Sequence, residues 1–210
     1  MRVRKKADTK KLVTISLLWA LVAVLSVLGN FIRFGPFPIT LALCPIIVGG
    51  AMFGAGVGAQ LGTVFGVVTL ISGLAGWDGG GVMLMFAASP LGLFLLCILK
   101  GTFAGLFAAL AYNAVAKTGY TKTAVIVAGI VCPVTNTGLF ILGMLTIFRK
   151  LLYEWAGGTE IVSYIILSLT GINFVVELVV NMVLAAGVTT ILKYANKQNK
   201  AGKAIAKLKK

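Results

Sequence analysis

The 210-residue chain has no histidine and five acidic residues. Without imidazole there is no Ser-His or Cys-His nucleophile pair and no histidine metal ligand, which excludes histidine-dependent intramembrane proteases and histidine-ligated haem. The acids (Asp8, Asp78, Glu154, Glu160 and Glu177) are scattered and form no D-x-x-D pair. The three cysteines, Cys44, Cys97 and Cys132, lie in apolar runs with no C-x-x-C spacing, so they read as small buried residues. No G-x-x-x-x-G-K-[ST] occurs, so nucleotide is not bound through a P-loop, and any uphill work must be powered by a partner. No catalytic residue, metal ligand or cofactor is expected. Charge of any sign is scarce at 11%, against roughly a quarter in soluble domains.

Apolar residues fill that space. They make up 59% of the chain, and the mean hydropathy is +1.03, which marks an integral membrane protein. The net charge of +14 is concentrated at the ends. Six basic residues lie in the first eleven positions and seven in the last eighteen. That arrangement belongs to cytoplasmic flanks of membrane spans, with no role in nucleic-acid binding, and such tails also attract anionic lipid.

A bilayer core of about 30 Å takes roughly 20 apolar residues as a helix. On that measure the uncharged runs predict six transmembrane helices in one all-α bundle, over residues 12–32, 39–54, 59–74, 90–114, 123–148 and 161–192. The domain plan is a basic tail (1–11), a membrane domain (12–192) and a second basic tail (193–210). With both termini inside, fifteen basic residues face the cytoplasm and Arg33, Arg149 and Lys150 face outward. An even number of spans is what lets both tails share a side. The first apolar stretch lacks a small-x-small cleavage site and reads as a span. No internal repeat is visible, which argues for a subunit or a dimer over a self-sufficient alternating-access transporter.

Ionisable groups at membrane depth are costly, and Lys100 and Glu177 are the two here. They could pair and tie helices together, or contact a ligand. Thr170, Asn173, Glu177 and Asn181 step by three or four residues, a polar stripe on one helical face that serves either as interhelical glue or as a ligand surface. In Cys132-Pro133-Val134-Thr135-Asn136-Thr137-Gly138, the proline withdraws a helix hydrogen bond half-way across, and Thr135 and Asn136 follow as candidate contacts. The alternative is a kink re-satisfied by a threonine. Gly54, Gly58, Gly62 and Gly66 recur every four residues and predict close helix packing. Trp77, ahead of Asp78 and Gly79-Gly80-Gly81, reads as part of a mobile outer lid. Ser16, Ala20 and Ala23 form a small-residue face suited to a neighbouring helix.

These features resemble the substrate-binding S components of energy-coupling factor (ECF) vitamin transporters. The resemblance covers nearly the whole chain in form. Locally it lies in Pro36-Phe37-Pro38-Ile39-Thr40 through Cys44-Pro45-Ile46-Ile47, in Phe53-Gly54 through Gly58 to Gly62, and in Pro133 to Phe140. It implies a prokaryotic, multi-pass subunit of the cytoplasmic membrane that captures a small water-soluble, vitamin-like ligand from outside. It also implies a transmembrane coupling subunit, two cytoplasmic ATPases and toppling in the membrane. The ligand would sit in the outer half near Trp77, Lys100, Asn136 and Asn173, and Ser16, Ala20 and Ala23 would meet the coupling subunit. The rival from another class is a membrane enzyme of lipid metabolism, an acyl- or phosphatidyl-transferase. Such enzymes usually need histidine or clustered acids, which this sequence lacks.

Overall fold

A computed structural model describes residues 2–32, 38–171, 174–181, 183 and 187. Among them the chain is helical: α1 (Arg2–Gly29), α2 (Leu43–Phe53), α3 (Ala55–Leu74), α4 (Gly81–Ala88), α5 (Pro90–Ala116), α6 (Thr121–Thr146), α7 (Arg149–Ala156) and α8 (Ile161–Tyr164). A π turn, Ile165–Leu169, extends α8, and α9 (Phe174–Asn181) follows.

Among the described residues four helical segments are long and apolar enough to cross a membrane: Thr9–Gly29, Ala55–Leu74, Pro90–Ala116 and Thr121–Thr146. A fifth crossing is available if α8 with its π turn and α9, bent by 47°, count as one broken span. The expected second span is helical over 11 residues, about 16 Å at helical rise and short of the hydrocarbon thickness. Residues ahead of it are held otherwise: Ile39 N–H donates to Ile32 O (3.0 Å), and Thr40 N–H is taken by a side chain. The expected continuous last helix is likewise broken. Thr170 N–H donates five residues back to Ile165 O (3.1 Å), the wide π geometry that shifts all later side chains around the axis.

The bundle is organised around α5, which packs against both α3 and α6. The glycine repeat explains the α3 contact. A Cβ on Gly58 or Gly62 would run into the backbone carbonyl of Gly105 or Gly101, and one on Gly66 into that of Cys97. Thr63 and Thr102 hydroxyls meet across the same seam at 2.8 Å. Gly54, first in the repeat, instead ends α2 at φ 93°, a conformation that favours glycine.

Two apolar clusters result. One, with Leu43, Ile46, Leu61, Phe65 and Ala104, joins α2, α3, α5 and α6. The other, with Met85, Leu93, Met144, Phe148 and Leu152, joins α4, the start of α5, the end of α6 and α7. By contrast α1 leaves Leu12, Leu17, Leu21, Val24 and Leu28 exposed.

Two segments that lie between the expected spans are helical. The triple glycine leads into α4, whose first turn is capped by Asp78: Oδ1 accepts from Gly80 N–H (3.1 Å) and Oδ2 from Val82 N–H (2.7 Å). The Arg149–Ala156 segment folds as α7, burying Leu152 and Ala156 and exposing Tyr153. Pro133 sits inside α6 without interrupting it.

Candidate functional site

Between the two clusters lies a cavity of about 910 Å³, including its open mouth. Its walls come from the C-terminal halves of α1, α3 and α6, the N-terminal half of α5, α4, the 38–40 segment and the π-turn-to-α9 region. These are the helix ends remote from the basic N-terminus and from the Lys117–Lys122 turn.

Four sequence candidates, Lys100, Asn136, Thr170 and Glu177, come together in this wall. Lys100, one turn below Leu96 on α5, places its ammonium over two rings, 5.7 Å from the centroid of Phe65 on α3 and 5.4 Å from that of Phe140 on α6. Ring quadrupoles partly replace hydration of the cation at such range, by about 0.5–2 kcal/mol each. Among the described residues Lys100 is in no ion pair, so pairing with Glu177 does not occupy it; its three N–H donors have no protein acceptor there.

Glu177, on α9, is 4% exposed. Its Oε1 accepts from Thr40 N–H at 2.7 Å, pinning the 38–40 segment to the far end of the chain, while Oε2 has no hydrogen-bond partner. Asn136, on α6 one turn after Pro133, is also 4% exposed and its Oδ1 is likewise unpartnered. An unsatisfied buried acceptor costs about 1–3 kcal/mol, and each such group in a folded protein calls for an explanation. Thr170 sits at the break after the π turn, its hydroxyl donating to Ile165 O (2.9 Å).

Other candidates fall elsewhere. Trp77 is 47% exposed and does not line the cavity; its neighbour Asp78, 2% exposed, does. Thr135 is half-buried on α6 outside the lining, whereas Thr137 lies within it. Asn173 lies outside the described residues. The polar stripe divides: Asn181 turns its amide back onto Glu177 O (2.8 Å), acting within its own helix. On α1, Ser16 and Ala20 are exposed and Ala23 is half-buried.

Sequence reasoning passes over several wall residues. Ser26 and Asn30, four apart at the end of α1, carry a legible signal as buried polar groups on one face of an apolar span. Phe65 and Phe140 carry none, since nothing in an apolar helix marks the phenylalanine that will meet a cation from another helix. Among the described residues no three of His, Cys, Asp and Glu gather closely enough to hold a metal ion.

The arrangement suits non-covalent capture of a small polar compound: fixed charges and amide groups in an enclosure with aromatic walls. A search of curated proteins finds no match. The family described as "ECF transporter, substrate-specific component" matches residues 10–193, which include every described residue that lines the cavity. The chain therefore belongs to the substrate-specific component family of ECF transporters.

Proposed function

We propose that the cavity is the capture site of this transport subunit, and that it takes a vitamin or related water-soluble micronutrient from outside the cell. The family is one of transport subunits, and membership implies work with an ECF module of coupling and ATPase subunits on a small-molecule substrate. The single observation that carries the proposal is the meeting of Lys100, Asn136 and Glu177 in one cavity, with unoccupied donors and acceptors, at the end of the bundle away from the basic terminus.

In this reading the chain crosses six times. The crossings are α1, the 39–53 segment with α2, α3, α5, α6 and the broken α8–α9 pair, which returns the C-terminal tail to the side of the N-terminus. The positive-inside bias of fifteen basic residues against three supports that orientation and puts the cavity in the outer half. Lys100 receives an anionic group of the ligand, carboxylate or phosphate, because an ammonium with open donors in a low-dielectric enclosure favours one strongly. The small-residue face of α1, exposed at Ser16 and Ala20 and half-buried at Ala23, meets the transmembrane coupling subunit. Two cytoplasmic ATPases power toppling of the loaded subunit and release inward, and the basic tails rest on anionic lipid.

Purified protein titrated with its co-purifying compound tests this. Lys100→Ala and Asn136→Ala are expected to fold and to bind more weakly; folded variants that bind like the parent would refute the assignment of the site.

A further inference from the structure

The cavity walls hold unmet hydrogen-bonding capacity of both kinds, in different places. On the α3–α5–α6 side the Lys100 ammonium rests against Phe65 and Phe140, with no acceptor among the described residues. On the α6–α9 side Asn136 Oδ1 and Glu177 Oε2 are acceptors without donors, each on a side chain 4% exposed. The terminal torsions of Asn and Glu are soft, so a small turn brings either oxygen to the cavity without moving a helix.

Charge narrows the choice of ligand. Among the described residues three charged side chains line the cavity: Asp78, Lys100 and Glu177. Both oxygens of Asp78 are engaged by backbone N–H groups at the start of α4, where a negative charge is also favoured by the helix dipole. Among the described residues that leaves one cation and one carboxyl group, not paired with each other, the first open to an acceptor and the second to a donor. A purely anionic compound satisfies Lys100 and leaves Glu177 facing unbalanced; a purely cationic one does the reverse.

We infer that the substrate is amphoteric, with an anionic group for Lys100 at one end and a nitrogen that donates hydrogen bonds, an ammonium or an N–H-bearing heterocycle, for Asn136 and Glu177 at the other. The inference rests on the capture-site reading above and adds the second pole. The Phe65 and Phe140 faces and the Leu93 and Met85 side chains suit an apolar or planar segment between the poles.

Two matched trios test it in thermal-unfolding and titration experiments on the detergent-solubilised full chain stripped of bound compound. One is aminovalerate, valerate and pentylamine; the other is para-(aminomethyl)benzoate, para-methylbenzoate and para-methylbenzylamine. In at least one trio the amphoteric member is expected to bind about tenfold tighter than either mate, the size of one charge-assisted hydrogen bond, and Lys100→Gln and Glu177→Gln should each erase that advantage. Glu177→Gln retains an oxygen for Thr40 N–H and so preserves the fold. If the anion binds as well as the amphoteric compound and Lys100→Gln alone weakens it, the inference is overturned while the Lys100 site stands. If the cation matches or exceeds the amphoteric compound, or all three members of both trios behave alike, both fall.

Discussion

Replacing Asn136 by leucine separates a ligand-contacting amide from one that only glues helices together. The side chain is 4% exposed and Oδ1 has no partner, so the ligand-free protein carries a desolvated carbonyl worth about 1–3 kcal/mol of destabilisation. Leucine is similar in size and removes that cost, offset by about 1 kcal/mol or more for imperfect packing. Ligand-free Asn136→Leu should therefore be as stable as the parent, or up to about 2 kcal/mol more stable. Binding should move the other way. Loss of one hydrogen bond, about 0.5–1.5 kcal/mol, weakens affinity roughly two- to tenfold. The assay is unfolding in mixed micelles of rising denaturant fraction, on protein stripped of ligand, paired with titration of the co-purifying compound. A variant that loses more than about 1 kcal/mol of ligand-free stability yet binds as before would show a structural amide, and the reasoning from unpartnered acceptors would be wrong.

Further expectations follow from local geometry. Gly62→Ala drives a Cβ into the Gly101 carbonyl and should cost about 1–3 kcal/mol in the same unfolding assay, whereas Gly56→Ala, with nothing within 4 Å, should be neutral or slightly stabilising; equal effects would refute the close α3–α5 approach. Asp78→Ala removes both side-chain acceptors from the first turn of α4, and about 1 kcal/mol of lost capping should appear as faster hydrogen exchange at Gly80 and Val82. At the start of α8, the Ser163 hydroxyl and N–H hold the Glu160 carboxyl below the usual range, with Val162 N–H assisting. A depressed folded value means that this support is complete above the ordinary glutamate value of about 4.3 and is lost as pH falls through the lower folded one. Exchange at Val162 and Ser163 should therefore accelerate on acidification below that point, and Glu160→Gln should remove the pH dependence.

Helices whose length is set by uncharged runs are legible from residues alone. The spans expected over 59–74, 90–114 and 123–148 fall within a few residues of α3, α5 and α6, because glycine, proline and charged residues between the apolar runs mark where each can end. The glycine seam is legible for the same reason that it works: small residues every four positions leave the backbone open to approach. What escapes is decided by partners distant in sequence. The second span is helical only from Leu43, and Thr40 ahead of it gives its N–H to Glu177 Oε1, 137 residues away. Nothing in Ile165-Ile166-Leu167-Ser168-Leu169 distinguishes a π turn from an α turn, yet that choice redirects Thr170 and the stripe beyond it. Trp77 and Asp78 show the same limit at one step. The aromatic residue draws attention in the sequence, but Asp78 lines the cavity, because both its oxygens are taken by the N–H groups that begin α4. Lys100 and Glu177 stand out in the sequence as charges within apolar runs, while their relation, two residues in one wall without an ion pair, emerges only in three dimensions.

The central claim is that this cavity holds a small polar compound through Lys100, Asn136 and Glu177. Native mass spectrometry of the detergent-solubilised chain, purified from cells without added ligand, tests it most directly. One small compound per chain is expected on the parent protein, reduced on Asn136→Leu and absent from the folded double variant Lys100→Gln/Asn136→Leu. A bare parent chain, or an adduct that the double variant keeps in full, would contradict it.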